Sequence, residues 1–198
     1  MSSVGNREKK LLLEVARRAV SAAVEGREFP GQLPEIANVR NLGGAFATLH
    51  RRGRLRGCVG KITSNESLVE TVAHCAKAAA LEDPRFDRVR PDELDDIEIE
   101  LSLLSRLEPI APQQIEAGKH GLMVSRGGQR GVLLPQVATQ FRWSGQRLLE
   151  ETCVKAGLER DAWKEPGTQV QAFTAEIFSE SDVTGEEESA APETRGRA

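Results

Sequence analysis

Two short segments, AFATLH (45–50) and RLRGCVG (54–60), constrain this chain most. Both have the make-up of strands, and Arg52-Gly53 between them permits a tight turn, so together they predict a β-hairpin. Alternation along the second strand sends Arg56 and Cys58 to one face, about 7 Å apart, and sends Leu55 and Val59 into the core. Gly57 leaves bare backbone on the core side; glycine inside a strand signals close approach of another backbone or a ligand. Gly60 permits a sharp exit.

The next segment of the chain suits such a surface. Thr63 and Glu66 have capping-box spacing, and Leu68, Val69, Val72, Ala76, Ala79 and Ala80 then form one apolar helical stripe. Its alanines allow very close packing on a sheet. Pro84 in EDPRF ends the helix by forcing Asp83 out of helical geometry. Residues 7–25 read as a helix, and a breaker-rich loop spans 26–44. DIEIELSLLS alternates as a strand with one wet face, and GLMVSRGGQRGVLLP turns at Gly127-Gly128. Residues 146–156 form a helix stopped by Gly157, and VQAFTAEIF is a last strand. Strands joined mostly by turns, with helices interspersed, predict an α+β (mixed α/β) fold with a largely antiparallel sheet flanked by helices. One domain covers 1–179; the acidic stretch 180–198 has almost nothing to bury and is expected to be disordered.

Composition removes several function classes. Aromatics are 4% with no tyrosine, so the core is aliphatic. A net charge of -3 gives no electrostatic footprint for nucleic acid, and Arg51, Arg52, Arg54 and Arg56 read as a solvated hairpin tip. The first apolar run is cut by Glu14, Arg17 and Arg18, so no membrane association is expected. Three cysteines without a CxxC pair fit reduced thiols in a cytoplasmic protein, not a disulfide framework or a zinc site. RGGQRG lacks a phosphate-loop pattern, and no HExxH is present, so neither cofactor nor metal is expected.

Cys58 is the candidate for chemistry. A guanidinium beside a thiol favours the thiolate, and a helix start nearby acts in the same direction. A nucleophile also needs a base, and the chain has only His50, His74 and His120. A three-residue loop at 51–53 puts His50 on the Cys58 face, whereas a two-residue loop turns it away. His74 lies off its helix's apolar stripe, and His120, before a strand, is the other candidate base. Glu98 and Glu100 share a strand face as paired carboxylates do, although an exposed sheet face gives the same pattern. Asp83 caps a turn from which Arg85 projects, in position to bridge to one of those glutamates.

LRGCVG (55–60) resembles the LRGCIG signature of the AMMECR1 domain family. The likeness continues in order through AAALEDPRF, IEIELSLLS, GKHGLMV, LLPQVA, LLEETCVKAGL with Trp163 behind it, and AFTAEIF, roughly residues 8–179. Leu133, Val132 and Cys75 depart from the family's usual residues. The resemblance implies two unequal lobes with a cleft between them, and puts the signature residues Arg56, Gly57, Cys58 and Gly60 at or near it. Bacterial relatives of this type (AmmeMemoRadiSam system protein A) are encoded beside, or fused to, a Memo-like protein and a radical-SAM protein, which implies these as partners. It supplies no reaction.

The residues support three readings. The first is a domain binding an unknown small-molecule ligand or a partner, with Leu55, Arg56, Gly57, Cys58, Gly60, Arg85, Glu98 and Glu100 as its candidate site and Arg56 as an anion-binding fork. The second is an enzyme with Cys58 as nucleophile and His120 or His50 as base. The third, nucleic-acid binding through the arginine-rich hairpin, is least favoured.

Overall fold

The structure, a computed structural model, describes residues 4–29 and 42–183. Its helices are α1 (Asn6–Val24), α2 (Leu68–Leu81), α3 (Pro135–Gln140) and α4 (Gly145–Lys155). Its strands are β1 (Leu42–Arg51), β2 (Arg54–Lys61), β3 (Ile97–Ser105), β4 (Glu108–Pro109), β5 (Gly121–Arg126), β6 (Gln129–Leu133), β7 (Gln169–Phe173) and β8 (Ala175–Ser179). They form two antiparallel four-stranded sheets, ordered β2-β1-β3-β8 and β4-β7-β5-β6. The fold is α+β, as its sequence predicts. The expected loop 26–44 ends at β1, and its residues 30–41 lie outside the described residues. The described residues divide into two compact units, one drawn from residues 4–29, 44–102 and 177–183, the other from 42–43 and 103–176.

In the first unit, α1 buries Leu12, Val15, Ala16, Ala19 and Val20. α2 is buried nearly all round, leaving Glu70, His74 and Lys77 exposed. Its alanines let it lie directly on β2. A methyl group at Gly57 would collide with the Ala79 carbonyl oxygen and stand 3.1 Å from its carbon. The expected box at Thr63–Glu66 is not the one that caps α2. The same spacing recurs at Ser67–Glu70, immediately before the apolar run. There the Ser67 hydroxyl accepts from the Glu70 N–H, and the Glu70 carboxylate accepts from the Ser67 N–H. Asp83-Pro84 follows the helix end as expected.

The hairpin turns on two residues, Arg52 at φ 51° and Gly53 at φ 73°, both in the left-handed region that a type I′ turn requires. His50 pairs with Leu55, but Leu49 pairs with Gly57, so Arg56 is an extra residue in a β-bulge. Beyond it, Thr48 faces Cys58 and Phe46 faces Gly60.

The second unit is built on the β5–β6 hairpin, which turns at Gly127-Gly128 as predicted. α4 packs against β6 over Gly131. Leu122, Val124, Leu148, Leu149 and Cys153 fill the core between them. Gly157, at φ 76°, follows the α4 terminus. The short α3 has no counterpart among the predicted elements. The single strand expected across VQAFTAEIF is instead two strands in different sheets. They break at Thr174, whose N–H donates to Ser105 Oγ (3.0 Å) and whose carbonyl accepts from the Ser105 N–H (2.9 Å).

Disorder expected from residue 180 does not begin there. Residues 180–183 are helical and Val183 is buried. Glu180 forms an ion pair with Arg17 and accepts from the Ile99 N–H (2.8 Å). Residues 184–198 lie outside the described residues.

Candidate functional site

Cys58 stands half-exposed on β2, an edge strand of its sheet. Across the pair, Thr48 Oγ1 donates a hydrogen bond to Cys58 Sγ at 3.2 Å. Phe46 lies over Gly60 on the same face. An edge strand presents unpaired backbone groups, and at Cys58 two side chains satisfy them. The Cys58 N–H donates to Asp83 Oδ2 (2.8 Å), and its carbonyl accepts from Arg85 Nη2 (3.2 Å). Asp83 also accepts from Arg85 Nε (2.9 Å) and Nη2 (2.7 Å). This ion pair replaces a missing neighbour strand at one residue, the carboxylate standing in for a carbonyl and the guanidinium for an amide. Asp83 is only 5% exposed. The Arg85 guanidinium holds its carboxyl well below the usual carboxylate range against the opposing effect of burial, and the Cys58 and Arg85 N–H groups assist. Arg85 therefore pairs with Asp83, not with Glu98 or Glu100 as the sequence suggests.

Asp83→Ala leaves the Cys58 N–H without its partner and releases Arg85. A loss of about 2 kcal/mol is expected, with amide exchange at Cys58 accelerating more than in α1. Unchanged exchange at Cys58 would show that the clamp does not hold the strand.

The hairpin arginines are cross-braced. Arg56, its side chain 15% exposed, donates from Nε and Nη2 to Glu93 (3.1 and 2.9 Å), from Nη1 to the Asp87 carbonyl (2.7 Å) and from Nη2 to the Arg88 carbonyl (3.2 Å). Glu93, in the 3₁₀ turn Pro91–Asp96, also accepts from Arg51 Nη1 (2.8 Å) and the Arg90 N–H (2.9 Å). Asp96 receives Arg51 and Arg52. Three of the four hairpin arginines thus meet acids, so the run is not simply a solvated tip, and the Arg56 guanidinium is engaged by the fold. Leu55, expected in the core, is 41% exposed. It lies beyond the bulge, where alternation no longer carries over from Cys58.

The bulge also changes the histidine argument. The turn has two residues, the case expected to point His50 away. The inserted Arg56 offsets this: along β1, His50 stands two residues from Thr48 on the half-exposed side and lies diagonal to Cys58. Among the described residues no hydrogen bond joins the two. His74 is exposed on α2, 4.0 Å from Glu66. Glu98 and Glu100 are half-buried and alternate with buried Ile97, Ile99 and Leu101; Glu98 accepts from the Ser181 hydroxyl. Among the described residues no group of three or more His, Cys, Asp or Glu could hold a metal ion.

His120 belongs to the second unit. With Arg106, Glu108, Ile110, Glu116 and Phe173 it lines a hollow of about 340 Å³. Its Nδ1 accepts from the Glu116 N–H (3.0 Å). Burial, and next the Lys119 ammonium, push its pKa below the ordinary histidine value.

A family model described as AMMECR1 matches residues 13–178. The chain belongs to the AMMECR1 family. A protein of Methanothermobacter thermautotrophicus is 40% identical over 87% of this chain and 94% of its own length. One of Aquifex aeolicus is 39% identical over 89% and 95%. The crystal structure of an uncharacterized protein from Pyrococcus horikoshii shares 38% identity and a TM-score of 0.73, over 85% of this chain and 89% of that one.

Within this AMMECR1 domain, Thr48 and Glu93 are the neighbours of the signature that sequence reasoning missed. Thr48 emerges from the register once a two-residue turn and one bulge are allowed. Glu93 carries no local signal, because it meets Arg56 only through a turn 37 residues away.

Proposed function

We propose that this AMMECR1-family chain is a ligand- or partner-binding module whose binding surface is the open side of the β1–β2 hairpin around LRGCVG. One observation carries the reading. Asp83 and Arg85, the charged groups that clamp Cys58, are paired with each other within the fold, while Cys58 is half-exposed and, among the described residues, its side chain meets the Thr48 hydroxyl and the Arg85 guanidinium. A nucleophile needs a base within hydrogen-bond reach, and the described groups that meet this side chain, the Thr48 hydroxyl and the Arg85 guanidinium, act on it as donors. A polarizable sulfur beside Phe46 and Thr48 suits recognition. The pairing of Arg51, Arg52 and Arg56 with Glu93 and Asp96 likewise weighs against nucleic acid. We further propose Memo-like and radical-SAM proteins as partners in a shared pathway or complex, and a cytoplasmic location. Among the described residues no helix is long and apolar enough to cross a membrane.

Alkylation by iodoacetamide tests the reading, with Cys58→Ser as the blank for Cys75 and Cys153. At neutral pH the Cys58 rate is expected to stay within about tenfold of that of glutathione. A neutral-pH rate a hundredfold higher overturns the binding reading in favour of a cysteine nucleophile. Titration against a Memo-like protein tests the partner, with Leu55→Asp expected to weaken association at least tenfold.

A further inference from the structure

The hollow in the second unit presents unusual free chemistry. Arg106 and Glu108 are both exposed, and neither hydrogen-bonds nor ion-pairs through its side chain with another described residue. The second carboxylate on the wall, Glu116, pairs at the surface with Lys119 Nζ at 2.6 Å. His120 contributes a directed donor. Because its Nδ1 accepts from the Glu116 N–H, that nitrogen is unprotonated, and the proton of the neutral ring resides on Nε2. Ile110 and Phe173 supply apolar wall. The lining therefore offers one free cation, one free anion, one neutral N–H donor and an apolar surface. At about 340 Å³ the hollow falls within the range of small-ligand sites.

A simple anion bound at Arg106 leaves Glu108 opposing it, and a simple cation bound at Glu108 leaves Arg106 opposing it. Only a ligand carrying both signs answers both side chains. We infer that the Arg106–Glu108–His120 hollow binds a small zwitterion of the amino-acid type, its carboxylate meeting Arg106 and the His120 Nε2–H, its ammonium meeting Glu108. This hollow shares no residue with the LRGCVG surface, and the inference does not depend on the reading given to that surface.

Calorimetry on the full chain tests the inference with L-leucine, 4-methylpentanoate, which lacks the ammonium, and 3-methylbutylamine, which lacks the carboxylate. The other standard amino acids complete the panel. At least one amino acid is expected to bind saturably. For leucine, each half-ligand is expected to bind at least tenfold more weakly than the parent. Arg106→Ala should reduce leucine to the level of the amine, and Glu108→Ala to the level of the acid. Both residues are exposed and unpaired, so both variants are expected to keep the wild-type circular dichroism; Arg106→Gln and Glu108→Gln serve if they do not. Three outcomes overturn the inference: no saturable binding by any amino acid up to about 10 mM, 4-methylpentanoate binding as tightly as leucine, or leucine affinity unchanged in both variants.

Discussion

Gly57→Val will leave no cooperatively folded protein, and even Gly57→Ala is expected to lower stability by about 3 kcal/mol. The added carbon meets backbone, not a side chain: the Ala79 carbonyl, in the last turn of α2, lies directly over Gly57. No rotamer change relieves such a collision. α2 must lift from β2, and Val72, Cys75, Ala76 and Ala79, all 2% exposed or less, lose close packing together. Gly128→Ala is the matched control. Nothing lies within 4 Å of its added carbon and its φ is not left-handed, so a change within about 0.5 kcal/mol is expected. Urea midpoints for the two alanine variants check the contrast. Equal midpoints would mean that α2 is not seated on the strand.

Gly57 also shows what the sequence discloses. A glycine inside a strand pattern, with a helix rich in alanine after it, announces close backbone approach without any coordinates, and that approach is what forms. The hairpin, its turn at Arg52-Gly53, the end of α2 before Asp83-Pro84 and the Gly127-Gly128 turn are legible for the same reason, because each depends on local stereochemistry. Two other features are not. The bulge at Arg56 leaves the strand pattern intact while changing which side chains follow the pleat, so simple alternation misplaces Leu55 and His50. The acids that meet the arginines come from Asp83 and from the turn Pro91–Asp96, and charge pairing between distant segments leaves no periodicity to detect. In the site, the signature strand is visible from the residues alone. Its supports are not.

Those supports set the second large effect, at Glu93. Glu93 is 4% exposed, and its carboxylate accepts from Arg56, Arg51 and the Arg90 N–H. The Arg56 guanidinium, first among these partners, draws its pKa from 4.5 down to about 2 although burial acts the other way. Glu93→Ala leaves the part-buried Arg56 guanidinium without an acid, while Arg51 keeps Asp96, and is expected to cost about 3 kcal/mol. The pH dependence has a definite sign. Because the folded value is the lower one, the Glu93 contribution is complete above pH 4.5 and is lost as pH falls from there towards 2, where protonation favours the unfolded chain. That interval corresponds to roughly 3 kcal/mol. Asp83, also held below its ordinary value, adds to the loss from about pH 3.8 downward. Glu93→Gln removes the titrating group while keeping the shape. It should begin less stable at pH 7 yet lose stability less steeply between pH 4.5 and 2.5 than the wild type. Parallel stability curves for the two proteins over that interval would show that the hairpin arginines are held by something other than this carboxylate.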